Sequence, residues 1–296
     1  PTAAIGALRE AFEAAIDLAG VDRREVLGVG LDTPGPATAN GVISTRGGTN
    51  FGHDDWRGYD VRTALEDELG MPVVYNNDAN AAALYAHHRH FGAIGGERSS
   101  ISVIVGTGHG GGVIESGRIV KGAAGVAGEV GHVHIPMDGQ LGEGQPTPTC
   151  NCGFVGDAES VASLTGIRQN LLPYWLTRYP DHELAGMDPL DAAKQVRGFG
   201  ERGDEMALHI FEQQAMALGH LFTIAANFTD PDVYLLGGGV IETVPSFRDW
   251  FLERVEAHTF LRDEQRAVAS FALVADLDMA GARGSAIAVL GALGHG

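Results

Sequence analysis

Hydrophobic residues recur along the first part of the chain with spacings that alternate between those of helices and those of strands. An amphipathic helix is predicted over Ile5–Leu18, and the apolar run 26–31 is typical of a buried strand that ends at a Thr-Pro-Gly-Pro turn. A second helix over Tyr59–Leu69 is followed by a strand over Pro72–Tyr75 and a helix that begins near Asn77. Strands that alternate with helices indicate an α/β domain with a parallel or mixed sheet.

The pattern changes at Arg98. The β-branched and apolar run Ser100–Val105 predicts a strand, and the glycine-rich segment 106–112 follows it before Val113 begins a second strand. This succession predicts a strand–turn–strand unit, and Gly117 together with Gly122 indicates a further hairpin behind it.

The second half of the chain has mainly helical spacing. Helices are predicted beyond Glu159, through Leu190 to Asn227, and a short strand over Val233–Leu236 then leads into three consecutive glycines. A final helix is predicted over Ala282–Leu293.

Composition and charge exclude two classes of partner. The 296 residues carry a net charge of −18, which argues against nucleic acid, because phosphate backbones reward Lys and Arg. No apolar run approaches the roughly 20 residues that a membrane helix needs, and the chain opens on no signal peptide. We therefore expect a cytoplasmic protein that binds neither nucleic acid nor a membrane.

Polar side chains crowd the end of the strand at Tyr75, in the segment Asn76–Asn80. One such residue would serve as a helix cap, but four exceed what a cap needs. Ligands bind at the carboxyl ends of strands in α/β proteins, and a carboxylate such as Asp78 could there accept a proton from a substrate hydroxyl.

Two glycine clusters follow buried strands, at residues 106–112 and at 237–239. Glycine lets the backbone approach a ligand, so that successive N–H groups can hold an anion. A hairpin tip without a ligand is the other interpretation, and each cluster alone is weak evidence.

Three further groups could carry chemistry. Glu129 and His132 are three residues apart and could both bind a polyol if the chain turns there. Cys150 and Cys152 are too close for an unstrained disulfide and could instead bind zinc with a nearby His or Asp. We interpret His87, His88 and His90 as a solvated helix face rather than a metal site.

Four of these segments together resemble the ROK family of sugar kinases and sugar-responsive repressors. The resemblance runs from about Val26 to Leu293. It is carried by Asn-Asp-Ala-Asn at 77–80, Gly-Thr-Gly-x-Gly-Gly-Gly at 106–112, Ala-Gly-Glu-x-Gly-His at 127–132 and the Cys-x-Cys signature at 150–159. It implies an actin-like ATPase fold, related to ribonuclease H, with two α/β domains and a cleft between them.

The resemblance also implies roles for single residues. Asp78 would be the catalytic base, and the sugar hydroxyls would be bound by Asn77, Glu129, His132 and Glu159. ATP would be held by Gly106, Thr107, Gly108 and Gly110 on its phosphate side and by Gly237, Gly238 and Gly239 on its adenosine side, with Mg²⁺ to offset charge. A structural zinc ion would be bound by His132, Cys150, Cys152 and Asp157.

The chain departs from the family pattern at three places. Asp157 replaces the third cysteine, which predicts a weaker zinc site, and the stretch from His132 to Cys150 is longer than the family's. The chain also begins without the family's first strand and its Asp-x-Gly-Gly-Thr loop. Because an untrimmed product would begin with Met rather than Pro1, we expect the natural polypeptide to extend upstream and to contain that loop.

The resemblance predicts how the chain is divided. Residues 1–97 would form an N-terminal domain onto which 281–296 packs back, and residues 98–280 a C-terminal domain with the phosphate loop, sugar ligands and cysteines. The expected protein is a homodimer or homotetramer that phosphorylates a hexose, most simply glucose at its 6-hydroxyl. Another hexose, a polyphosphate donor and a non-catalytic sugar sensor are the alternatives.

Overall fold

The computed structural model describes residues 1–46, 50–274 and 277–294. The N-terminal part contains three helices and two strands, in the order α1 (Thr2–Ala19), β1 (Val29–Thr33), α2 (Val61–Leu69), β2 (Val73–Asn77) and α3 (Asp78–Phe91). The rest contains five strands: β3 (Ser100–Val105), β4 (His109–Glu115), β5 (Arg118–Ile119), β6 (Val233–Gly238) and β7 (Ser270–Val274).

Seven helices accompany those five strands within the described residues. They are α4 (Leu164–Gly166), α5 (Leu172–Arg178), α6 (Pro189–Glu201), α7 (Glu205–Phe228), α8 (Pro245–Ala257), α9 (Asp263–Arg266) and α10 (Ala280–Ala292). A π-helical turn over Ile167–Leu171 joins α4 to α5. None of the helices in the described ranges combines the length and the apolar character that crossing a bilayer requires.

Strands β1 and β2 pair in parallel, with Asp32 opposite Asn76 and Thr33 opposite Asn77. The predicted strand 26–31 is therefore placed too early, because the ladder starts where β2 offers its first partner, Val73. The strand therefore also includes Asp32, which follows the predicted strand, and Thr33, the first residue of the predicted turn. Both strands consequently end side by side in polar residues.

The larger sheet has the order β5-β4-β3-β6-β7, with β3, β6 and β7 parallel and β4 antiparallel to β3. Its main core lies between this sheet and α7, whose buried side chains include Phe222 and Leu218. The prediction for β3 is confirmed, but β4 begins at His109 and not at Val113. Gly110 and Gly112 belong to β4, where their bare backbone packs on α3. A Cβ on Gly110 would lie 3.0 Å from the Ala79 methyl group, and a Cβ on Gly112 would lie 2.6 Å from the Ala83 methyl group.

The last helix, α10, packs against α3 and β1, more than 180 residues earlier in the chain. Small residues allow this contact: a Cβ on Gly284 would lie 1.7 Å from the Ala81 carbonyl oxygen, and one on Gly30 would lie 2.2 Å from that of Ser285. Residues 295 and 296, part of the segment predicted to pack back, lie outside the described residues.

We expect Gly284→Ala to destabilise the protein, because the added methyl group would overlap backbone that cannot turn aside. Overpacking costs about 1–3 kcal/mol, so the melting temperature should fall by roughly 2–5 °C in a chain of this size. The matched control is Gly291→Ala in the same helix, where no atom stands within 4 Å of the added Cβ and alanine improves helix propensity. Thermal unfolding followed by circular dichroism compares the two; equal stability of both variants would contradict the close contact.

Candidate active site

The ends of β1 and β2 bring four polar side chains together. Asp32, Asn76, Asn77 and Asp78 leave the two strands at the same edge, since the parallel register aligns their carboxyl ends. The Asn77 side chain caps α3, and its Oδ1 accepts hydrogen bonds from the N–H groups of Ala79 at 2.9 Å and of Asn80 at 3.3 Å. The cap interpretation therefore holds for Asn77, and Asp78 is left as the carboxylate at the start of α3.

Asp78 is exposed at this edge, with its Oδ1 2.8 Å from the N–H of Ala79. Desolvation by the surrounding protein raises the pKa of the Asp78 carboxyl, and the negative charge of Asp32 raises it further, while the backbone hydrogen bond opposes both. Asp32 is itself held by α10, because its Oδ1 accepts a hydrogen bond from the Ser285 hydroxyl at 3.0 Å. A carboxyl group whose pKa lies closer to neutrality is a better proton acceptor for an alcohol.

His132, Cys150, Cys152 and Asp157 form one cluster. Each offers a ligand atom within 4.8 Å of the other three. His132 Nδ1 lies 3.1 Å from Asp157 Oδ2, 3.5 Å from Cys152 Sγ and 4.0 Å from Cys150 Sγ. The edges of a tetrahedron around zinc, with bonds of 2.0–2.3 Å, measure about 3.3–3.8 Å. The four side chains could thus hold a metal ion, and their ligand atoms are of the types that zinc binds.

Glu159 connects this cluster to the glycine-rich turn. Its Oε1 accepts a hydrogen bond from the Cys150 thiol at 3.2 Å, and its Oε2 accepts one from the His109 N–H at 2.9 Å. A Cβ on Gly108 would lie 2.9 Å from the same Oε2, so the carboxylate rests on the turn itself.

Glu129 precedes a 3₁₀ turn over Val130–His132, which places it and His132 on one bend of the chain as expected for a polyol site. Desolvation raises the pKa of the Glu129 carboxyl. The charges of Asp78 and Glu159 raise it further, whereas His132 lowers it. These electrostatic effects show that Glu129 shares its surroundings with the other predicted sugar ligands.

The glycine-rich segment 106–112 consists of an open turn and a part of β4 that is packed against α3. Residues 106–108 form the turn between β3 and β4, and Gly106 faces open space with no atom within 4 Å of an added Cβ. Gly110 lies within β4 against α3, so its side of the strand is closed. His109 is buried, and burial lowers the pKa of its imidazole to about 4, which leaves the ring neutral near pH 7.

The second glycine cluster also differs from the prediction, since Gly237 and Gly238 belong to β6 and only Gly239 lies beyond it. Gly239 and the turn 106–107 face the same cavity of about 330 Å³. Each turn follows a strand of the parallel pair β3–β6, so the register Val105 to Gly238 brings the two together.

Sequence reasoning missed three residues near these groups. Lys194 and Arg197 of α6 line the cavity, and Asp32 stands beside Asp78. Only the rarity of lysine could have drawn attention to Lys194, one of two in the chain. The prediction for His87 is wrong: it is buried and bonded to Ser100 Oγ and the Gly95 carbonyl, each at 2.8 Å, whereas His88 and His90 are exposed.

Comparison with known proteins relates this geometry to sugar kinases. A glucokinase of Halalkalibacterium halodurans is 32% identical over 244 residues, which cover 81% of this chain and 69% of the relative. The crystal structure of a ROK hexokinase from Thermus thermophilus matches 100% of this chain and 88% of its own, with a TM-score of 0.76 and 29% identity.

A second solved structure, a ROK family glucokinase from Streptomyces griseus in complex with glucose and AMPPNP, is 28% identical. It matches with a TM-score of 0.64 over 94% of this chain and 86% of its own. The likenesses confirm the actin-like ATPase fold. A model of the ROK family matches residues 2–292, and the chain therefore belongs to the ROK family.

Proposed function

We propose that this chain is an ATP-dependent hexose kinase that phosphorylates glucose at its 6-hydroxyl. The observation that carries the proposal is the placement of Asp78, a carboxylate with a raised pKa at the end of β2, beside the charges of Asp32 and Glu129. The likeness to a glucokinase solved with glucose and AMPPNP supports this substrate and donor.

In this mechanism Asp78 accepts the proton of the 6-hydroxyl as its oxygen attacks the γ-phosphorus of ATP. The proton passes to a carboxylate oxygen, the new P–O bond forms, and the bond to the β-phosphate oxygen breaks, which releases ADP. Glu129, His132 and Glu159 bind the remaining sugar hydroxyls, together with the Asn77 amide nitrogen, and fix the attacking oxygen in line.

The donor would lie along the turn 106–108, with its adenosine toward Gly239 in the cavity that both turns line. Backbone N–H groups of the open turn would face the phosphates. Mg²⁺, bound to the triphosphate, would neutralise part of its charge.

We infer that His132, Cys150, Cys152 and Asp157 hold a structural zinc ion. Their spacing fits a tetrahedral set, and a metal on His132 Nδ1 would leave Nε2 to face the sugar. The metal would supply rigidity to the bend that carries Glu129. We further propose a cytoplasmic homodimer or homotetramer, because the cytoplasm supplies ATP and because the family resemblance implies an oligomer.

The test is a panel of glucose, mannose, fructose, glucosamine and N-acetylglucosamine with ATP and Mg²⁺, read by ADP release. Phosphorus NMR of the product locates the ester. We expect glucose to give the highest kcat/KM and glucose 6-phosphate to be the product. Binding of sugar without ADP release would instead support a non-catalytic sensor, which needs Glu129 and His132 but not Asp78.

A further inference from the structure

The cavity between the two glycine turns has two kinds of wall. Apolar side chains form one of them: Leu164, Ile167, Phe211 and Val240. Helix α6 contributes the other through Lys194 and Arg197. A volume of about 330 Å³ falls at the lower end of small-ligand pockets, which are mostly apolar with a few placed polar groups. A ligand that combines a flat nucleobase with a negatively charged phosphate chain would match these two walls.

The Arg197 guanidinium already makes polar contacts within the protein. Its Nη1 donates a hydrogen bond of 2.6 Å to the Gly239 carbonyl, and its Nε lies 4.0 Å from the Glu201 carboxylate. That carboxylate in turn accepts a hydrogen bond from the Thr243 hydroxyl. Arg197 therefore ties the segment 239–243 to α6 and sets the position of the turn after β6.

The Lys194 ammonium, by contrast, forms neither a hydrogen bond nor an ion pair with any residue that the structure describes. The chain carries a net charge of −18, which disfavours the binding of a polyanion unless cationic groups stand at its site. A single unpaired ammonium group in the wall of the donor cavity is thus well placed to offset a phosphate charge.

We propose that α6 is a donor-recognition wall, in which Lys194 contacts the phosphate chain of a nucleoside triphosphate and Arg197 positions the Gly239 turn against its nucleoside. Lys194 is then a specificity-determining residue and Arg197 a positioning residue. The proposal deepens the proposed function and rests on it for the identity of the donor. It assigns the two cations different effects, which can be measured separately.

The experiment compares Lys194→Gln, Arg197→Gln and, as a matched control, Arg202→Gln. Arg202 follows α6, stacks on Phe199 and does not line the cavity. Calorimetry with the analogue AMPPNP and Mg²⁺, with adenosine and with inorganic tripolyphosphate separates phosphate from nucleoside contacts. Steady-state kinetics give KM for ATP and for glucose.

We expect Lys194→Gln to weaken AMPPNP and tripolyphosphate about tenfold and to raise KM for ATP by the same factor, as loss of one charge-assisted contact does. Its KM for glucose and its affinity for adenosine should not change, because neither ligand contains the phosphate chain. Arg197→Gln should weaken the binding of adenosine and of AMPPNP by the same factor. Arg202→Gln should change the affinity for neither ligand.

Wild-type affinity of Lys194→Gln for AMPPNP, or equal losses for AMPPNP and adenosine, would overturn the assignment of Lys194. Unchanged adenosine binding by Arg197→Gln would overturn that of Arg197. Failure of the proposed function has a different signature: the wild-type protein binds AMPPNP but releases no ADP with any hexose. In that case the binding measurements with AMPPNP, adenosine and tripolyphosphate still test whether α6 is a donor-recognition wall.

Discussion

Asp78→Asn is expected to lower kcat by about 100- to 10,000-fold, the range that a general base contributes. The amide keeps the size of the side chain and its hydrogen bond to the Ala79 N–H, but it cannot accept the hydroxyl proton. Glucose affinity should therefore change little. Rapid-quench or coupled assays give kcat, and calorimetry gives the sugar affinity.

The same residue fixes the direction of the pH dependence. As the proposed base, Asp78 can accept a proton only when it is ionised, so kcat/KM should fall on acidification through a pKa above the ordinary value of 3.8. Asp67→Asn, on the exposed face of α2, is the matched control and should leave turnover and its pH profile unchanged. If Asp78→Asn keeps more than a tenth of wild-type turnover, another group accepts the proton.

The second large effect is expected from loss of the metal cluster. Protein purified without chelators should contain about one zinc ion per chain, and His132→Gln should bind it at least 10- to 100-fold more weakly, the loss that even an outer-shell change causes. A metal ion held by the cluster would fix the bend that carries Glu129, so the same variant or a chelator should lower both the melting temperature and the affinity for glucose.

His134→Gln is the control for that experiment. His134 lies two residues from His132 but outside the cluster, so its replacement should retain the zinc ion. Asp157→Cys should bind zinc at least as tightly as the wild type, because thiolate is the softer ligand. Metal analysis that finds no zinc in gently purified wild-type protein would remove the metal centre from the mechanism.

The positions of the main elements could be predicted because local patterns determined them. The β-branched run Ser100–Val105 forms a strand with those same bounds, and the polar residues after Tyr75 do begin a helix. The four segments that carry the family resemblance also meet in space around Asp78, Glu159 and the metal cluster.

The rest depended on contacts between distant residues. Gly110 and Gly112 have low strand propensity, but their missing side chains let β4 pack on α3, and this tertiary contact decides their conformation. His87 has the appearance of a surface histidine until Ser100, thirteen residues later, bonds to it. No local pattern links Lys194 to Gly106, which lies 88 residues earlier and reaches the same cavity only through the fold.

The packing of α10 on β1 and α3 also determines the order in which the chain can complete its structure during synthesis. Gly30 and Ala81 leave the ribosome early, but the residues that cover them, Ser285 and Gly284, are added about 200 or more residues later. At 5–20 residues per second, their backbone contacts stay open for roughly 10–50 seconds. Strand β1 and helix α3 are therefore made long before the helix that completes their packing, and they spend that interval exposed to chaperones and to other nascent chains.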